Sequence, residues 1–110
     1  KDETYVKAPS GLPSIQQSLP VLLTIAHQEG IPLTRIASVF SEKAADLYRL
    51  KRGKIKRGYE ADLVIFDNTK EFIVRNEDQL SKCGWTPYEG VTLRGVIEKV
   101  LIDGAPVSLK

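Results

Sequence analysis

Between Gly53 and Asp67 the chain reads Gly-Lys-Ile-Lys-Arg-Gly-Tyr-Glu-Ala-Asp-Leu-Val-Ile-Phe-Asp, and no other stretch restricts the fold as much. Glycines at 53 and 58 allow backbone turns that residues with side chains avoid. The apolar run Leu63-Val64-Ile65-Phe66, set between Asp62 and Asp67, is too short for a helix and reads as one buried strand. A basic turn, a second turn and a strand therefore mark a boundary. Helical patterning precedes it and strand patterning follows it.

Residues 1–13 are charged and then rich in Pro and Gly, which predicts an extended loop with a stiff tip at residues 9–13. Ile15, Leu19, Leu22, Leu23 and Ala26 then recur at helical spacing. Pro20 has no N–H to donate and must lie in or near the first turn, so the helix is predicted to start near Ser18. Gly30 is its predicted stop. Thr34 is a predicted N-cap for a short helix carrying Ile36, Val39 and Phe40. Ser41 is a predicted cap for a second one carrying Ala44, Ala45, Leu47 and Tyr48, with a bend between them. Beyond Gly53, strands are predicted over 61–66, 71–74 and 96–102. In the last of these, Val96, Glu98, Val100 and Ile102 share the half-buried face. Asp103-Gly104 predicts a tight hairpin joining it to residues 106–109. Helices first and strands later give an α+β class, or parts of two domains.

Composition removes several function classes. A length of 110 residues suits one small domain, and a net charge of +2 is too weak to argue for nucleic acid or membrane. No apolar stretch approaches the ~20 residues of a membrane span. The single Cys83 forbids an internal disulfide and fits a reducing, cytoplasmic compartment. Met is absent and the first residue is Lys1, which is in keeping with a piece of something longer. Few residues can carry chemistry. His27 is the only histidine, and one imidazole cannot build a metal centre, so no metal ligand and no catalytic residue is assigned. Cys83 lacks an activating partner. Asp62 is expected to satisfy backbone donors where the strand begins, and Asp67 to start an Asx turn with Asn68. The basic run Lys51, Arg52, Lys54, Lys56, Arg57 reads as a solvated turn. Trp85 and Tyr88 are expected to cover the end of a small core. The best functional candidate is the loop Pro9-Ser10-Gly11, where glycine lets a ligand approach the backbone and the flanking prolines keep the loop stiff.

These pieces resemble dihydroorotases, in the cyclic amidohydrolase branch of the amidohydrolase superfamily. Ala8-Pro9-Ser10-Gly11-Leu12-Pro13 running into Ser18-Leu19-Pro20-Val21-Leu22-Leu23-Thr24 looks like the substrate loop and last barrel helix of that family. Ser41-Glu42-Lys43-Ala44-Ala45-Asp46-Leu47-Tyr48 resembles the short helix that follows. The stretch from Gly53 to Asp67 matches the passage into a small β-sandwich. Trp85-Thr86-Pro87-Tyr88-Glu89-Gly90 resembles a late Trp-Thr-Pro-Phe-Glu-Gly segment, and Gly95 to Gly104 resembles the closing strand.

The resemblance implies the C-terminal part of a (β/α)8 metal-dependent hydrolase, with residues 1–52 as substrate loop, last barrel helix and connecting helices. Residues 53–110 would be the C-terminal strands of a composite sandwich. The implied reaction is reversible hydrolysis of dihydroorotate to N-carbamoyl-aspartate in pyrimidine biosynthesis. The implied cofactor is a binuclear zinc centre whose ligands, a His-x-His pair, a carboxylated lysine, two histidines and an aspartate, all precede residue 1. This chain alone is then expected to be inactive and to bind no metal. Ser10 and Gly11 match loop residues whose backbone contacts the substrate ring. The implied partners are that small-molecule substrate and the N-terminal part of the same protein. A homo-oligomer is left open, and nucleic acid and membrane are not among the partners. Two competing readings are another cyclic amidohydrolase, acting on hydantoins, dihydropyrimidines or allantoin, and a non-catalytic scaffold partnering aspartate transcarbamoylase.

Overall fold

A computed structural model describes residues 6–7 and 11–108. Its first regular element is a single 3-10 turn, Ile15–Gln17, which runs directly into helix α1, Ser18–Glu29. Pro20 is the third residue of α1, where its missing N–H costs no intrahelical bond. Gly30 ends the helix at φ 68°, a left-handed conformation that glycine adopts without strain, and its N–H bonds to the Ala26 carbonyl.

The next helical region differs from the two capped helices expected. Pro32, extended at φ −67° and ψ 146°, precedes α2 (Leu33–Ala37), so Thr34 lies inside the helix rather than at its cap. There is no break at Ser41. The chain widens into a π turn, Ser38–Glu42, and continues as α3, Lys43–Leu47. The Ser41 hydroxyl is not used as a cap; it reaches 3.5 Å across to the Gly53 carbonyl. At Gly53 an added Cβ would sit 2.8 Å from the Ser41 carbonyl oxygen and 2.9 Å from the Ala45 Cβ. The returning chain thus presses on the helix at the point where the helix widens, a place where proteins insert a residue without breaking the helix.

Among the described residues, three antiparallel strands in the order β1-β2-β3 form the sheet: β1 Leu63–Ile73, β2 Thr92–Ile102 and β3 Ala105–Val107. The two strands predicted over 61–66 and 71–74 are one strand. Asp67 pairs with Val96 and Glu71 with Arg94, so Asn68-Thr69-Lys70 bulge out opposite Gly95 alone. The Asp67 carboxylate bridges this bulge by accepting from the Thr69 N–H (2.8 Å) and hydroxyl (2.5 Å), the Asx turn expected. Strand β2 begins at Thr92 rather than 96, because Gly95 is accommodated inside it. The expected single half-buried face is not found: Val96 and Val100 are half-buried, but so are Ile97 and Leu101, and Ile102 is exposed. Glu98 has no facing residue in β1, and this second bulge changes which side chains point inward. Asp103 and Gly104, at φ 52° and 78°, make the tight turn between β2 and β3.

Helix α1 lies on β2. Pro20, Leu23 and Ala26 on the helix and Leu93 on the strand are buried, as are Ile36, Ala45 and Val74. The helix can come this close because Gly95 has no side chain: a Cβ there would stand 2.6 Å from Leu23 Cδ1. The Thr24 hydroxyl fixes the contact by accepting from the Arg94 N–H (2.8 Å) while donating to the Pro20 carbonyl (2.7 Å). The radius of gyration, 16.0 Å, exceeds the ~13 Å of a compact domain of this length. Among the described residues, no helix is long and apolar enough to cross a membrane.

Candidate functional site

The loop that leads into α1 is the candidate, and its two assigned residues stand differently. Ser10 lies outside the described residues. Gly11 is exposed, and among the described residues nothing lies within 4 Å of where a Cβ would be. Three residues on, the Ser14 carbonyl accepts from the Gln17 N–H (3.2 Å) and the Ser18 hydroxyl (3.0 Å), which fixes the loop to the start of α1.

Two side chains hold that start against the segment 75–88. Gln16 brackets the backbone of this segment, donating to the Asp78 carbonyl (3.0 Å) and accepting from the Leu80 N–H (2.8 Å). Gln17, 3% exposed, donates to Gln79 Oε1 (2.8 Å) and accepts from the Thr86 hydroxyl (3.3 Å). Thr86, 4% exposed, also accepts from the Tyr88 N–H (3.2 Å), and its own N–H reaches Asn76 Oδ1 (2.9 Å). The sequence directed attention to Trp85 and Tyr88 as the cover of the core. Trp85 is 38% exposed and Tyr88 half-buried, and Thr86 between them is the buried residue. An aromatic cluster hid a hydroxyl. The available signal was a pair of adjacent glutamines opening an otherwise apolar helix.

The remaining candidates are structural or solitary. The Asp62 carboxylate accepts from the Asp103 N–H (2.9 Å) and from Arg52 (2.5 Å), tying the start of β1 to the β2–β3 turn. The basic run is largely engaged: Arg52 with Asp62 and Asp103, Lys54 with Glu42 (3.8 Å) and Asp46 (3.6 Å), and Lys56 over the Tyr59 ring at 5.6 Å. His27 and Cys83 are exposed. Among the described residues, no three His, Cys, Asp or Glu side chains gather as a metal donor set. An apolar groove of about 410 Å³ opens between α1, the α2–α3 passage and β1, lined by Leu19, Leu33, Phe40, Ile55, Val64 and Phe66 among others.

Comparison with known proteins places the chain in a family. Residues 12–107 match the family described as "Amidohydrolase family", and the chain belongs to it. A dihydroorotase of Halobacterium salinarum is 39% identical over 84 residues, which are 76% of this chain and 20% of that protein. An allantoinase of Desulfitobacterium hafniense is 29% identical over 109 residues, 97% of this chain and 24% of that protein. An L-hydantoinase (dihydropyrimidinase) from Arthrobacter aurescens superposes with a TM-score of 0.86 at 28% identity, over 94% of this chain and 24% of its own. The chain thus spans between a fifth and a quarter of the length of these relatives. The resemblance to dihydroorotases read from the sequence is found in these comparisons, alongside the neighbouring cyclic amidohydrolases.

Proposed function

We propose that this chain works as the C-terminal part of a dihydroorotase, in a cytoplasmic enzyme that reversibly opens the cyclic amide of dihydroorotate to N-carbamoyl-aspartate. The observation that carries the reading is the 39% identity to a dihydroorotase over 84 residues. In this reading residues 1–52 complete the barrel side of the enzyme, and residues 53–110 supply strands to a composite β-sandwich. The metals of such an enzyme, a zinc pair, would in this reading be held by side chains that precede residue 1.

The contribution of this chain is to hold substrate. The loop at Ser10 and Gly11 would present backbone N–H and C=O groups to the ring, at a position where Gly11 leaves open space. Ring amides are recognised well by such groups, because each offers one donor and one acceptor of fixed direction. Gly11→Val would fill that space and should raise KM for dihydroorotate.

The test is turnover by the intact protein that carries this segment, with dihydroorotate, a hydantoin and allantoin offered separately. Preference for dihydroorotate supports the reading. Preference for hydantoin or allantoin assigns the protein to the branch of the relatives so named. Absence of turnover of all three, with the protein folded, favours the scaffold reading.

A further inference from the structure

The Trp-Thr-Pro-Tyr-Glu-Gly segment is not used by the reaction as proposed above, yet it holds a buried hydroxyl aimed at the start of the substrate loop's helix. We infer that Thr86 and Gln17 are positioning residues that set the loop at Gly11 to Ser14 for substrate, with Gln79 as their outer support. The inference rests on the reading of that loop as a substrate loop.

The geometry forms a directed chain. The Thr86 hydroxyl donates to the Gln17 amide oxygen (3.3 Å), the Gln17 amide nitrogen donates to Gln79 Oε1 (2.8 Å), and the Gln79 amide nitrogen donates to the Arg75 carbonyl (3.0 Å). The hydroxyl is used in both directions, since it also accepts from the Tyr88 N–H (3.2 Å). Gln17 is thereby held by both ends of its amide while its backbone N–H holds the Ser14 carbonyl, three residues from Gly11. Two apolar side chains of the same shape would fill this space with at least equal stability, because buried polar groups gain little net energy from their hydrogen bonds. What the polar pair adds is direction: an amide satisfied at both ends cannot rotate or slide without leaving a buried group unpaired. The segment 75–88 is in turn pinned to the sheet at Val74, whose N–H bonds to the Val91 carbonyl (2.9 Å) and whose carbonyl accepts from the Gly90 N–H (2.8 Å). The position of the loop is therefore referred to the sheet through Thr86, alongside the two bonds that Gln16 makes to the backbone at Asp78 and Leu80.

The experiment uses the intact enzyme with Thr86→Val, which keeps the shape and removes the hydroxyl, and Thr86→Ser, which keeps the hydroxyl. Thr86→Val should raise KM about tenfold and leave kcat within about twofold, the pattern of lost binding shared by ground and transition states. Amide exchange in residues 11–17 should speed up about tenfold, and Thr86→Ser should restore both readouts to within about twofold. Gln79→Met, half-buried and gentler, should give about a threefold effect in exchange and covers the case in which Thr86→Val does not fold. Unchanged KM and exchange in Thr86→Val overturn the inference. So does a Thr86→Ser variant as defective as the valine, or unchanged exchange in Gln79→Met. Should the enzyme prefer another cyclic amide, the proposed function fails, while the same KM split on that substrate and the exchange rates still decide the role of Thr86.

Discussion

The two sides of helix α1 meet their surroundings in opposite ways. Toward β2 the contact is tight at its centre: Leu23, 1% exposed, lies on Gly95, where an added Cβ would stand 2.6 Å from it, and Thr24 adds a hydrogen bond to the Arg94 backbone. Toward the α2–α3 passage and β1 the packing opens into the apolar groove, where Ile55 is 92% exposed and Val64 45%. The same helix thus has one contact complete within this chain and another left wide. Stability resides in the first. The second is an apolar surface of the kind that takes up further protein. This agrees with a chain that spans a fifth to a quarter of its relatives, and it separates residues that hold the piece together from residues free to meet something else.

Three glycines break this comparison most sharply. Gly53→Ala should cost the most, about 2–5 kcal/mol: φ is +82°, and the new methyl meets the Ser41 carbonyl oxygen at 2.8 Å and the Ala45 Cβ at 2.9 Å, neither of which can turn aside without moving the helix backbone. Gly95→Ala, at φ +100°, meets the Leu23 Cδ1 at 2.6 Å, but this is the end of a side chain that also borders the groove and can turn toward it, so about 2–3 kcal/mol is expected. Gly58→Ala, at φ +86° with nothing within 4 Å, should cost only the conformational part, about 1 kcal/mol. Urea unfolding of the three variants checks the order. Equal losses at Gly53 and Gly95 would show that the Leu23 side chain yields no more easily than the helix backbone. A double variant sharpens the point. Leu23→Ala alone should lose about 2–5 kcal/mol as a cavity, and combined with Gly95→Ala it should lose less than the sum, because each relieves the other.

This contrast also explains what the sequence could reveal. Features that depend on neighbours along the chain were legible. Pro20 fixed where α1 begins, Gly30 where it ends, and Asp103-Gly104 made a hairpin. Asp62 and Asp67 could be read as structural because their partners sit at predictable local backbone positions or at a strand end. Features that depend on distant segments were not legible. Gly95 looked like punctuation before a strand, and only the approach of Leu23, 72 positions earlier, makes it a packing residue inside one. Thr34 and Ser41 have good cap chemistry, but Pro32 and the pressure of Gly53 decide the backbone there. At the candidate site, Gly11 was legible as a loop glycine. The buried Gln17–Thr86 contact spans 69 positions and leaves no periodic trace.

A smaller effect is expected on the open side. Ile55→Ser and Val64→Thr should change unfolding free energy by only about 0.5 kcal/mol, because little of either side chain's environment is lost. They should instead weaken self-association of the 110-residue chain, which is expected to associate through its apolar groove and the free edge of β1. Sedimentation of wild type and double variant measures this. A wild-type chain that stays monomeric at high concentration and melts sharply at high temperature would show that the groove needs no cover and that these residues suffice as a domain.

The smallest effect belongs to the bulge where β1 passes the seam. Asp67 has its carboxyl held below the usual 3.8, first by the Thr69 hydroxyl and backbone hydrogen bonds and then by Lys70. A carboxyl whose folded value is depressed binds its proton less readily in the folded state than in the unfolded one. Its contribution to stability is therefore present above the ordinary value and is lost as pH falls through the lower, folded value. The fall should begin just below pH 4 and be slight, since the group faces solvent, where such interactions are screened. Asp67→Asn keeps an oxygen that can accept from the Thr69 N–H but removes the charge. Stability measured from pH 6 downward should show this variant slightly less stable than wild type at pH 6 and converging with it below pH 4. A constant gap across that range would assign the bulge's stability to the shape of the turn alone, and the charge would have no part in holding Asn68-Thr69-Lys70 opposite Gly95.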